Sequence, residues 1–307
     1  MSQPSTHEWT DRYLARTATG EALLGDDRGF VPLAAADPAL ETVGEALRVA
    51  PEGLPDPRAA SASPVGADGL SFGTPFDPGR LLGIGLNYAD HAADLDETSP
   101  TEPATFLKPR TSLTGPSGPI RLPPTEITDR VTAEAELAIV IGRTCRDVPV
   151  EEVGKIVAGY LPVIDLTAED VLQRNPRFLT RAKGFDTFLV VGPQVAVLDA
   201  GAETDGDTDA ADDTELSDDF AGLADLSVRT IVDGEVVAEN TVSNMHASPT
   251  ELVSFCSRSA TLRPGDVIST GTPGAGVIEP GDTVGAEVDR VGTVSAPVVR
   301  DSGDKME

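Results

Sequence analysis

The stretch VTAEAELAIVIG, residues 131–142, sets two carboxylates, Glu134 and Glu136, directly before an unbroken apolar run. Strand side chains alternate between faces, so residues two apart point the same way. Both carboxylates therefore project from one face of a strand that soon becomes fully buried. Two like charges at the edge of a core repel each other and are costly to desolvate, so the pair needs a compensating charge. A third carboxylate, Asp165, interrupts a second apolar strand, VAGYLPVIDLTAED (157–170). Three carboxylates on two buried strands make an all-oxygen set suited to Mg²⁺, Mn²⁺ or Ca²⁺ rather than zinc. The same pattern also fits an exposed acidic face, or carboxylates paired with arginines.

Outward from these strands the chain reads as mainly β. β-branched runs separated by Pro and Gly recur in GYLPVIDL (159–166), TFLVVGPQVAVL (187–198), LSVRTIVDGEVVAE (226–239), GDVISTG (265–271), DTVGAEVDRVGTV (282–294) and SAPVVR (295–300). Helical patterns are fewer: NYADHAADL (87–95), VEEVGKIV (150–157) and SPTELVSFCSRSA (248–260). The expected class is α+β, mainly β, with helices packed on a strand core. Residues 1–75 form a small N-terminal domain and linker, with one helix-like stretch near LETVGEALRVA (40–50) and a Pro- and Ala-rich run at 50–69. The core spans 76–300 and residues 301–307 are a tail. An acidic, low-complexity surface insertion interrupts the core at about 200–218, where apolar content is too low to order a segment.

The 307 residues carry 51 acidic against 23 basic side chains, a formal charge of −28. This argues against nucleic acid and against anionic membrane surfaces as partners. An acidic chain with only four lysines and few aromatics looks like a protein of a halophilic cytoplasm. No run of ~18 apolar residues is present, and the N-terminus lacks the apolar region of a signal peptide, so a soluble cytoplasmic protein is expected. Cys145 and Cys256 lack metal-type spacing and read as small buried residues. GIGLNY (83–88) lacks the third glycine of a dinucleotide fingerprint, and no G-x-S-x-G elbow is present.

Seven blocks in order carry a resemblance: GIGLNYADHAAD (83–94), FLKPRTSLTGPSGPI (106–120), AEAELAIVIGR (133–143), VAGYLPVIDLTAED, KGFDTFLVVGP (183–193), VDGEVVAENTVSNM (232–245) and TLRPGDVISTGTPGAGV (261–277). From about residue 80 to 300 the chain resembles the fumarylacetoacetate hydrolase (FAH) superfamily, in its branch of acylpyruvases and 2-hydroxyhepta-2,4-diene-1,7-dioate isomerases. The resemblance implies a β-roll core, a homodimer and a Mg²⁺ or Mn²⁺ ion held by Glu134, Glu136 and Asp165. It makes His91, paired with Asp94, the activator of water on a lid; by spacing alone the two share a helix face, which also fits a surface turn. It places Lys183 against developing negative charge on a substrate oxygen, where spacing alone gives a snorkelling surface lysine. It groups Lys108, Gly271 and Thr272 with substrate binding, the last two in a loop that otherwise reads as a turn.

The chain also departs from that pattern. Glu169 and Leu172 stand where Arg and Gln are frequent, with Gln173 one position late, and Ile164 and Val190 stand where Asn and Pro are frequent. The implied reaction is cleavage of a carbon–carbon bond in an acylpyruvate-like 1,3-diketo acid. The alternatives are isomerisation, decarboxylation or dehydration of a 2-keto-3-deoxy sugar acid on the same site, or a non-catalytic homologue that binds metal and a small 2-oxo acid.

Overall fold

A computed structural model describes residues 11–88, 101–116, 118–198 and 221–300. In chain order the strands are β1 (Arg12–Arg16), β2 (Ala22–Asp26), β3 (Gly29–Pro32), β4 (Leu81–Gly85), β5 (Ala104–Lys108), β6 (Leu113–Thr114), β7 (Ile120–Leu122), β8 (Val131–Ile141) and β9 (Val157–Ala168). There follow β10 (Leu189–Val191), β11 (Gln194–Val197), β12 (Ser227–Val232), β13 (Glu235–Thr241), β14 (Val267–Ser269), β15 (Ala275–Ile278), β16 (Thr283–Val288) and β17 (Gly292–Arg300). The larger sheet runs β3-β2-β1-β11-β9-β8-β14-β4-β5, with β6, β10 and β15 joined to it; the smaller runs β13-β12-β16-β17-β7. The expected mainly-β class holds.

β8 and β9 form the spine: each is apolar along one face and over part of the other, and every residue of each is buried. From one face of β8, Ala133, Ala135, Leu137, Ile139 and Ile141 pack with Val228, Val284, Ala286 and Val294 of the smaller sheet. From the other, Ala138 and Val140 pack with Leu161 and Val163 of β9 and with Leu47 and Leu54 from the N-terminal segment. That second face changes character along the strand, from Val140 and Ala138 through Glu136 and Glu134 to Thr132. The carboxylates sit where the apolar packing gives out.

β1 pairs antiparallel with β11, so the N-terminal strands extend the larger sheet. The helix read near LETVGEALRVA forms at Val43–Val49, started by a reciprocal Thr42–Glu45 capping box and burying Val43, Ala46 and Leu47. The 50–69 run, read as linker, instead forms three 3₁₀ turns with Leu54 and Pro57 buried. Burial of those apolar side chains holds the turns against the body of the protein. VEEVGKIV likewise forms a 3₁₀ helix, Val150–Lys155, whereas SPTELVSFCSRSA gives an α-helix, Pro249–Ser259, opened by a Ser248–Glu251 capping box. The acidic insertion and the C-terminal tail lie outside the described residues.

The larger sheet is rolled. β5 stands four strand spacings from β9, about 19 Å in a flat sheet at ~4.8 Å per strand. Yet the Lys108 ammonium on β5 donates a hydrogen bond to Asp165 on β9. Only curvature that brings β5 back over β9 permits this contact. Gly83 on β4 leaves room for the Phe106 ring of β5, since a Cβ there would lie 2.1 Å from it.

A gap in the ladder completes the layout. β14 pairs with β8 at residues 138–140 and β15 at residues 131–134, leaving 135–137 without a strand partner on that side. Side chains fill in: the Ala135 N–H donates to Thr230 Oγ1 (3.0 Å), and the Thr270 hydroxyl and N–H donate to the Leu137 carbonyl (2.8 and 3.0 Å).

Candidate active site

Glu134 faces Asp165 directly across the β8–β9 ladder, and Glu136 lies two residues along on the same face. All three are buried, and one oxygen from each lies within 4.8 Å of the others. Two buried lysines close over them. Lys183, at the end of the short helix Leu179–Lys183, donates to Glu134 Oε2 (2.7 Å) and Asp165 Oδ2 (2.8 Å). Lys108 binds the other Asp165 oxygen, and the Phe106 ring lies 5.4 Å below the Lys183 ammonium. Thr167 donates to Glu134 Oε1 (2.6 Å). Glu136, at the ladder gap, accepts from the Ser269 hydroxyl and from the Gly271 N–H (2.9 Å).

Charge and burial divide these groups. Burial pushes the Glu136 carboxyl up to about 8, aided by the charge of Asp165 and opposed by Lys183. Burial acts the same way on Asp165, but the ammonium groups of Lys108 and Lys183 overcome it and hold Asp165 below the usual carboxylate range. Burial lowers Lys108; for Lys183 the surrounding carboxylates outweigh burial and raise it. Three carboxylates against two ammonium groups leave room for one more positive charge, a proton or a cation. The fully buried Tyr88 hydroxyl makes no hydrogen bond among the described residues, and burial followed by the Glu136 charge raises its pKa. Clustered oxygen donors carrying excess negative charge fit a hard divalent cation such as Mg²⁺ or Mn²⁺.

A pH dependence follows. Between pH 4.5 and about 8 the folded, metal-free protein holds a proton on Glu136 that the unfolded chain has released. Its stability therefore falls as pH rises through that window. A cation must displace this proton, so Mn²⁺ affinity is expected to rise with pH up to about 8 and level off above. Calorimetric titration at pH 7 in two buffers of different ionisation heat should report close to one proton released per ion; no release would refute the assignment.

The family model described as Fumarylacetoacetate (FAA) hydrolase C-terminal matches residues 80–299, well over half of the chain. The chain belongs to the fumarylacetoacetate hydrolase family. A solved family structure, 5-carboxymethyl-2-hydroxymuconate delta-isomerase from Mycobacterium smegmatis, is 32% identical with a TM-score of 0.68, covering 95% of this chain and 100% of that one. Oxaloacetate tautomerase fahd2, mitochondrial, of Xenopus laevis is 34% identical over 232 residues, 73% of this chain and 66% of the relative. A fumarylpyruvate hydrolase from Pseudomonas aeruginosa, solved in complex with Mn²⁺ and pyruvate, is 27% identical with a TM-score of 0.60, covering 73% and 91% of the two chains. Family membership thus spans hydrolase, isomerase and tautomerase chemistry.

Within this family fold the remaining sequence-derived residues take definite places. The Gly271 N–H is occupied by Glu136, and Gly271 sits at φ +95° with a would-be Cβ 2.9 Å from Asn87, a position that excludes a side chain. The Thr272 hydroxyl donates to the Gly274 carbonyl (2.8 Å) and closes its own loop. Buried Asn87, unmarked in the sequence reading, fastens that loop: its amide donates to the Thr270 (2.8 Å) and Ala247 (3.0 Å) carbonyls and accepts from the Ala247 N–H (2.9 Å). Leu172 packs against the apolar core, while Gln173 donates to Glu169 (3.0 Å). His91 and Asp94 lie outside the described residues. No described helix is long and apolar enough to cross a membrane.

Proposed function

We propose that the chain is a divalent-metal-dependent hydrolase that cleaves a carbon–carbon bond in an acylpyruvate-like 1,3-diketo acid. The observation that carries this reading is the buried cluster of Glu134, Glu136 and Asp165 with the Lys183 ammonium among them. Glu134, Glu136 and Asp165 would hold a Mg²⁺ or Mn²⁺ ion, which would supply Lewis-acid polarisation of a 2-oxo group. Lys183, kept charged by its carboxylate neighbours, stabilises the negative charge that develops on the substrate oxygen as the enolate is released. His91, oriented by Asp94, takes the proton of the water that attacks the distal acyl carbonyl. This pair is assigned from the NYADHAAD motif of the family. The complex of the Pseudomonas relative with Mn²⁺ and pyruvate supports a 2-oxo acid as ligand.

Isomerisation, tautomerisation or decarboxylation is the second reading. It is favoured by Glu169 and Leu172, which change part of the family's substrate-facing set, and by the isomerase and tautomerase among the relatives. These reactions need no attacking water. Turnover of an acylpyruvate in ¹⁸O-enriched water with Mn²⁺ separates the two. Hydrolysis is expected to place one solvent oxygen in the released acid, with loss of the diketo absorbance abolished by chelator. An unlabelled product, or an uncleaved tautomer, would overturn hydrolysis in favour of the second reading. Concentrated KCl suits the assay, because a chain at −28 repels itself in dilute buffer.

A further inference from the structure

Each carboxylate oxygen of Glu134 and Asp165 already accepts a hydrogen bond, from Thr167 or from a lysine. Glu136 differs. Both of its bonds fall on Oε2, and among the described residues Oε1 accepts none. The grip on Oε2 therefore decides how the rest of the carboxylate is turned. One donor is the Ser269 hydroxyl, which follows its acceptor by rotating about its own C–O bond. The other is the Gly271 N–H, which is fixed in its peptide plane. The direction of the grip thus rests on the peptide group that joins Thr270 to Gly271.

That peptide is held from its other side. It is trans, so its C=O and N–H point in opposite directions. The Asn87 side-chain amide donates to its carbonyl, Thr270 O (2.8 Å), while its N–H donates to Glu136 Oε2 (2.9 Å). The two bonds run in the same sense through one peptide, so each polarises the other. Gly271 cannot keep this orientation alone: glycine accepts φ +95°, and the same freedom lets the peptide turn over. Asn87 has no such freedom. Its amide also donates to the Ala247 carbonyl (3.0 Å) and accepts from the Ala247 N–H (2.9 Å), so a flipped amide would set its oxygen against two carbonyls. Backbone strain delivers it there. Leu86, immediately before Asn87, sits at φ 57°, a left-handed conformation that leucine rarely adopts.

We infer that Asn87 is a positioning residue of the metal centre. Through the Thr270–Gly271 peptide it holds Glu136 in the orientation from which the three carboxylates converge on one cation. The inference rests on the proposed metal-dependent reading and adds a residue to it. It is tested by calorimetric Mn²⁺ titration, with the fold of each variant checked by urea denaturation. Asn87→Ala is expected to weaken Mn²⁺ binding roughly 10- to 100-fold, the usual effect of removing a partner of a metal ligand. Thr270→Val is the control, because it removes the hydroxyl that bonds the Leu137 carbonyl and leaves the 270–271 peptide intact. Its Mn²⁺ affinity should stay at the wild-type level. Wild-type affinity in Asn87→Ala, or equal loss in the two variants, overturns the inference and leaves the metal site standing. Should Asn87→Ala fail to fold, NMR of the wild type decides. Saturating Mg²⁺ is expected to shift the Asn87 side-chain amide and Gly271 N–H resonances together, and an Asn87 signal that does not move overturns the relay. A wild type that binds neither ion overturns the metal reading as well.

Discussion

Asp165→Asn is expected to destabilise the metal-free protein by about 3–5 kcal/mol and to abolish tight Mn²⁺ binding. The amide keeps the shape of the side chain, so the loss is one of charge. In the wild type both Asp165 oxygens are taken by ammonium groups, one from Lys108 and one from Lys183, and all three side chains are buried. The amide oxygen can still accept from one of the two ammonium groups, but its NH2 faces the other, and the two lysines are left with Glu134 as their nearest remaining counter-charge. Stranding a buried charge costs far more than forming the pair gained, because desolvation is no longer offset. Lys108, whose pKa burial already lowers, then has reason to shed its proton. Urea denaturation in the presence of chelator measures the stability, and a parallel Mn²⁺ titration measures the site. A variant within about 0.5 kcal/mol of wild type, the range of ordinary surface substitutions, would show that the lysine–aspartate cluster does not support the fold.

Lys183→Met should separate binding from turnover. The thioether fills similar space while removing the ammonium that the proposed reaction sets against developing substrate charge. Loss of one such stabilising donor lowers kcat by about 100- to 1,000-fold. Mn²⁺ affinity should hold or rise, because Lys183 shares Glu134 and Asp165 with any incoming cation. That combination, a collapsed kcat with an intact or tighter metal site, is the signature of a group acting on substrate. A kcat within tenfold of wild type would remove Lys183 from the chemistry. Equal loss of kcat and of metal affinity would make it a structural residue of the cluster.

Strand periodicity puts Glu134 and Glu136 on one face, but it also fits an exposed acidic face, and it was the family resemblance that joined the two with Asp165 as one cluster. Of the charges that balance them, Lys183 was named through the resemblance, but the Lys108–Asp165 contact was not legible: Lys108 reaches Asp165 only because the sheet rolls, and no local pattern encodes that curvature. A lysine ending an apolar strand, as in TFLK, was the available signal. The Glu169 departure was visible in the sequence, but its partner, Arg130, was not. That pair follows only once the register is known, and register depends on which of several apolar strands β8 chooses. Composition misled at 50–69, where Pro and Gly announced turns correctly yet said nothing of whether those turns would lie against the body. Asn87 escaped notice because a loop asparagine acquires its meaning from the two chain segments it ties, and these are distant in sequence.

The gap between β14 and β15 makes residues 270–274 a seam in the molecule. Its first residue still reaches the β8 backbone, the Thr270 N–H donating to the Leu137 carbonyl, while the rest is tied by side chains: Asn87 at Thr270, Glu136 at Gly271 and Thr230 at Gly274. A change at 272–273, clear of Gly271 where a side chain does not fit, leaves the pairing on either side in register. The seam also borders the carboxylates and the exposed Val277 of β15. Variation can therefore enter beside the site at a stretch that no strand partner holds, with Glu134, Glu136 and Asp165 kept in place on β8 and β9. Hydrolase, isomerase and tautomerase relatives on a common frame are what such an arrangement would leave behind over evolutionary time.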